Sequence, residues 1–161
     1  VGLTVLLGAG ASSACGSSEE LNRVRHEANE AGAIANVRIV LAAQATYSAG
    51  NAGAYGSMEC LADPKTCVAA DPGQPYVEKG FLSAERSGYT YQFHAGADSP
   101  QATGRPRGAS LSSFAIVATP AASAPSTARR FCGDASMNVC TLSRDSVVSG
   151  GQCPSSCQPL Q

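Results

Sequence analysis

Residues 17–50, SSEELNRVRHEANEAGAIANVRIVLAAQATYSAG, decide the architecture. Ser17 and Glu20 stand at capping-box spacing, so the hydroxyl can accept an amide hydrogen bond at a helix start while the carboxylate reaches back. Downstream, Leu21, Val24, Ala28, Ala31, Ile34, Val37, Leu41 and Ala45 recur in steps of three and four. They draw one apolar stripe, the packing or assembly face of a helix. Arg23, Arg25, Glu27, Glu30 and Arg38 are assigned to the other face. The Ser, Gly and Asn cluster after Tyr47 stops the helix, leaving a spine over 17–49. At 1.5 Å per residue this rod is roughly 45 Å long, so its first half must project or pack against something else.

Outward from the spine, residues 50–86 form a connector. Cys60 and Cys67 close a small loop within it, Asp63-Pro64 and Asp71-Pro72-Gly73 mark turns, and Tyr76 to Leu82 reads as a short strand or a helical turn. Alternation then takes over: Tyr89, Tyr91 and Phe93 point one way, Thr90, Gln92 and His94 the other. A loop from Gly96 to Gly108 leads to a second alternating segment, Ser113 to Thr119, with Phe114, Ile116 and Ala118 in phase. Ala128 to Cys132 and Asn138 to Leu142 follow, around a turn at Gly133 to Ser136. The order predicts an α+β fold in which a four-stranded antiparallel meander over 87–145 packs on the long helix. Tyr89, Tyr91, Phe93 and Phe114 are its core-facing residues. The Ser-, Gly- and Pro-rich tail, 146–161, would fray unless cross-linked.

The chain of 161 residues carries 11 Lys and Arg against 12 Asp and Glu, with a formal net charge of -1. Binding phosphates requires a clustered basic surface, so a nucleic-acid partner is excluded. The length suits one modest core. Seven cysteines stand at 15, 60, 67, 132, 140, 153 and 157, and all but Cys15 fall into close pairs. Six cysteines allow about fifteen connectivities. The framework places the chain in an oxidising compartment. Neighbours are the expected partners: Cys60 with Cys67, Cys153 with Cys157, and Cys132 with Cys140 across a hairpin. Zinc is not expected, because His26 and His94 lie far from the cysteine pairs, whose spacing differs from that of zinc knuckles.

The opening VGLTVLLGAGASSAC, within segment 1–16, has an apolar run from Val1 to Leu7 and small residues closing on Cys15. It is shorter than the roughly twenty apolar residues of a spanning helix. It has the pattern of a signal-peptide core with a bacterial lipoprotein processing box, in which Cys15 would carry lipid and anchor the chain to a membrane. The other reading of Cys15 is a free or buried thiol. Gly8-Ala9-Gly10 lacks the framing strand and acidic partner of a dinucleotide loop, and no cofactor is expected.

No constellation for catalysis emerges. His26-Glu27 lacks the second histidine of a zincin helix, and His94 has neither nucleophile nor orienting acid beside it. No serine sits in a Gly-x-Ser-x-Gly elbow. Arg105, Arg107, Arg129 and Arg130 could form a small basic patch, or simply be scattered solvated charge.

The stretch NEAGAIANVRIVLAAQATY at 29–47, followed by SAGNAGAYGSMECL, resembles the helix exit of bacterial type IV pilins and type II secretion pseudopilins of the major-pilin kind. KGFLSAERSGYTYQF at 79–93, FAIVATP at 114–120, ARRFCGDASMNV at 128–139 and the proline-containing tail follow in matching order, so the resemblance spans about 22–161. It implies a helical spine, an αβ-loop and a four-stranded antiparallel sheet. It further implies a non-enzymatic subunit that associates with itself or with other pilin-like subunits at the cell surface, in a filament or secretion apparatus.

Members of that family begin with an aromatic residue and carry a glutamate at the fifth mature position of a long apolar stem. Here Val5 stands fifth and the apolar run stops before Cys15, so the stem is expected to be absent or replaced. Two hypotheses follow: a structural subunit, or a monomeric, membrane-anchored lipoprotein whose pilin-like domain serves as an adhesin or binding module.

Overall fold

A computed structural model of the protein describes residues 17–68, 73–100 and 108–160. The fold is α+β. Helix α1 (Ser18–Gly50) is followed by the short α2 (Met58–Ala62), a 3-10 turn (Pro64–Thr66), and strands β1 (Tyr89–Ala95), β2 (Phe114–Pro120), β3 (Arg130–Asp134), β4 (Val139–Leu142) and β5 (Gln158–Pro159). The strands make one antiparallel sheet in chain order, the expected meander with a fifth strand added. Two residues, one of them proline, carry no readable alternation, which is why β5 was not expected. Segment 76–82 forms turns, closed by Phe81 N–H to Glu78 O and Ser83 N–H to Gly80 O.

Ser17 caps α1 by accepting from the Glu20 amide at 3.3 Å, and Glu19 and Glu20 complement the positive helix end. The Glu20 carboxylate bonds Arg23. From its middle onward α1 buries Glu30, Ala33, Val37, Val40, Leu41, Ala43, Gln44 and Tyr47. The apolar members pack on Phe114, Ile116, Ala118 and Phe131 of the sheet. Gly133, expected in a turn, lies inside β3 because the helix sits directly on it. A β-carbon there would stand 2.7 Å from Val37 Cγ1 and 3.1 Å from Leu41 Cδ1. The turn falls one step later, closed by Met137 N–H to Asp134 O, with Met137 at φ 62.

The far end of the helix is fixed by polar side chains. The Gln44 amide, fully buried, donates to Gly56 O at 2.6 Å and accepts from Gly56 N–H at 3.0 Å. Tyr47 Oη and Asn51 Nδ2 both donate to Ala109 O, at 2.7 and 2.8 Å. Most buried side-chain polar atoms find partners, although Asn51 Oδ1 has none among the described residues, and these bonds hold the 51–57 and 108–111 segments to the helix.

The sheet has a second covered face, where Ala115, Val117, Cys132, Leu142 and Val148 form a separate apolar cluster. Strand β2 is consequently buried on both sides along most of its length. The tail makes this cover and corrects two of the expected pairings. Cys132 and Cys140 oppose one another in the β3–β4 register, so their side chains share the tail-facing side. Each bonds the tail passing over it: Cys132 with Cys153 (Cα–Cα 6.0 Å) and Cys140 with Cys157 (5.6 Å). Cys60–Cys67 is paired as expected. Asp134 Oδ2 also accepts from Cys153 N–H at 2.9 Å.

Candidate interaction surface

The stripe read from the sequence divides in space. At about 100° per residue, the sheet-facing side of α1 centres near Glu30, Val37 and Gln44, while Leu21, Val24, Ala28 and Ala31 lie roughly 100–180° away from Glu30. Val37 and Leu41 are buried and Ile34 is half-buried. Leu21, Val24, Ala28, Ala31 and Ala45 are exposed, which corrects the expectation that all eight form one packing face. Ala35, Ile39 and Ala42 continue the exposed row. Leu21 is 64% exposed, Val24 50% and Ile39 49%. The row 21, 24, 28, 31, 35 steps by three and four residues, the spacing of a helix–helix seam. Before residue 30 nothing of α1 is fully buried and only His26 and Asn29 are half-buried, so the start of the helix projects. Arg23 bridges Glu20 and Glu27 along it.

Where the projecting and packed parts meet, Glu30 is buried to 8% exposure, although its charge had placed it on the outer face. Its carboxylate accepts from the Arg129 backbone N–H at 3.1 Å and from Arg129 Nε at 2.9 Å, with His26 Nε2 at 3.5 Å. Burial alone pushes the carboxyl up. The side-chain and backbone hydrogen bonds of Arg129, with the charges of Arg129 and His26, outweigh that and hold it below the usual range. Tyr89 donates to Arg129 O at 3.0 Å. Its phenol is pushed up to about 12, by burial first and by the nearby Glu30 charge second.

The remaining candidates have structural duties. Arg129 is held by Glu30 and lies 5.5 Å over the Phe131 ring. Arg130 donates to the carbonyls of Ser143, Arg144 and Ser146. The two do not form a free basic patch, and Arg105 and Arg107 lie outside the described residues. His94 is half-buried, its imidazole pushed down by burial and by the Arg130 charge. Phe93 stacks on Phe114 at 6.1 Å, and Tyr55 meets Phe114 edge-on at 4.9 Å, within the core. Among the described residues no group of three His, Cys, Asp or Glu could hold a metal, and no helix is long and apolar enough to cross a membrane. Cys15 and segment 1–16 lie outside the described residues.

Gln44 and Asn51 are not among the residues singled out from the sequence, and Glu30 is read there as outward-facing. One signal was present: Glu30 and Gln44 are each seven residues from Val37 and so lie in phase with it. Comparison of the chain with protein-family models, curated proteins and solved structures gave no match. Three disulfides mark an oxidising, extracytoplasmic compartment.

Proposed function

We propose that this protein is a non-enzymatic structural subunit, similar to type IV pilins and pseudopilins, that associates through the outer face of α1 at the bacterial cell surface. One observation carries the reading: α1 is apolar on two sides. The inner side is consumed by the sheet, and the outer row Leu21, Val24, Ala28, Ala31, Ala35 and Ile39 remains exposed at seam spacing. A solvated helix face gains nothing from such a row, whereas a neighbouring helix would bury it. The small alanines allow close approach. The resemblance implies a helical spine, an αβ-loop and a four-stranded antiparallel sheet, and a long helix on an antiparallel meander, here with a fifth strand, is consistent with it.

The reading is tested with cysteine at position 28 in the full chain, expressed in its native host and oxidised briefly. Copies joined through residue 28, released with the sheared cell-surface fraction, are the expected result. Uncrosslinked monomers confined to the membrane contradict it. The small-residue run before Cys15 favours the second reading, a lipid-anchored monomer acting as a binding module. In that case the mature chain begins at an acylated Cys15.

A further inference from the structure

The connector folds into two limbs that face one another. Helix α2 and the 3-10 turn form one limb, held by the Ser57 cap, by the Cys60–Cys67 disulfide and by the Thr66 hydroxyl donating to Asp63 O at 2.7 Å. The turns at 78–83 form the other. Arg86 braces them: its guanidinium donates to the Glu78 carboxylate at 2.8 Å and to Phe81 O at 3.4 Å, and lies 5.0 Å over the Phe81 ring. The limbs are tied where Tyr76 N–H donates to Leu61 O at 2.8 Å. Between them lies a cleft of about 370 Å³, within the range of small-molecule sites.

Met58 and Phe81, both buried, with Ala62 and Leu82, both half-buried, give the cleft an apolar floor. Its rim is charged. Glu59 and Asp63 are exposed on the α2 side, and neither carboxylate has a hydrogen-bond or ionic partner among the described residues. Asp63 even stands at the start of the 3-10 turn without capping it through its side chain. On the other limb Glu78 is neutralised by Arg86, and Lys79 is the rim's cation among the described residues. Two carboxylates against one ammonium leave the mouth negative, which attracts a cation and repels an anion. A neutral guest would leave both carboxylates without a partner. An ammonium on an apolar body satisfies rim and floor together.

We propose that this cleft is a binding site for a small organic cation, an amine with an aliphatic or aromatic body. The body lies on Met58, Ala62, Phe81 and Leu82, and the ammonium donates to the carboxylates of Glu59 and Asp63. Both limbs are braced before any guest arrives, so little ordering is lost on binding. The proposal goes beyond the assembly reading and does not depend on it.

Phenethylammonium, titrated into the isotope-labelled full chain and followed by NMR, is expected to shift the methyl groups of Met58 and Ala62 and the amides of 80–83. Phenylacetate carries a similar ring with the opposite charge and is expected to bind at least about tenfold more weakly; Glu59→Gln with Asp63→Asn is expected to weaken phenethylammonium by about tenfold. Both positions are exposed and their carboxylates brace nothing, so the double variant is expected to keep the native thermal midpoint. Lys79→Gln leaves the carboxylates in place and is expected to tighten binding about twofold. Shifts confined to other residues, no shifts as phenethylammonium reaches the millimolar range, or equal binding of phenylacetate overturns the proposal. A folded double variant that binds undiminished, or looser binding by Lys79→Gln, overturns the part given to the rim charges.

Discussion

Glu30 and Arg129 are 99 residues apart, yet the Glu30 carboxylate takes both the backbone N–H and the guanidinium of Arg129, tying mid-helix to the start of β3. The pair stands where α1 passes from projecting to packed. Glu30→Gln keeps the shape and removes the charge. The Arg129 side chain is 51% exposed and can turn to water, so the loss is expected to be about 1–2 kcal/mol in urea denaturation. An unchanged midpoint would assign the junction to apolar packing alone.

The same carboxylate sets an acid limit. Its folded pKa is lowered, so in acid the unfolded state binds more protons, and the contribution of Glu30 is fully present above the unfolded value near 4.5. It is lost as the pH falls through the lower folded value. Thermal midpoints of the native chain are expected to fall more steeply than those of Glu30→Gln below pH 4.5. Parallel curves would contradict the assignment.

The tail is stapled to the strands and not to itself, and trypsin distinguishes the two. Cleavage after Arg130 and Arg144 separates 131–144, which holds Cys132 and Cys140, from 145–161, which holds Cys153 and Cys157. The observed pairing joins these peptides until reduction, whereas neighbour pairing releases them separately. Replacing Cys140 and Cys157 by serine is expected to cost about 3 kcal/mol, and opening the shorter Cys60–Cys67 loop about 2 kcal/mol, on the chain-entropy relation.

Gly133→Ala places a β-carbon against Val37 and Leu41 at the closest helix–sheet approach. Neither side can retreat without disturbing the core, so a loss of about 1–3 kcal/mol is expected by calorimetry. A neutral result would mean that the helix is free to lift from β3.

The spine and the meander were legible because their signals are strong: a cap at Ser17, three-and-four periodicity, and strict alternation at Tyr89, Tyr91 and Phe93. The phase of the helix was harder to read. In an alanine-rich helix the small apolar residues fall on every side, so the stripe slid from the outer face at Leu21 to the inner face at Val37. Its charge assigns Glu30 outward, and its burial is tolerated because the distant Arg129, with His26 one turn earlier, pairs with the carboxylate. Gly133 reads as a turn residue, whereas its reason is close packing against Val37 and Leu41, and sequence proximity misdirects the cysteine pairing. The tail's path over the second face of the sheet brings Cys153 to Cys132, and no local pattern encodes that path.

On the proposed function, the outer row of α1 joins subunits. Sedimentation equilibrium of the full chain, native against Val24→Asp with Ala31→Asp, tests it most directly, with thermal midpoints measured alongside. Both positions are exposed, so the double variant is expected to stay within about 1 kcal/mol of native stability. Native protein that associates with rising concentration, beside a folded variant that stays monomeric, is the predicted result. A native chain that remains monomeric throughout, or a variant that associates equally well, would contradict the claim.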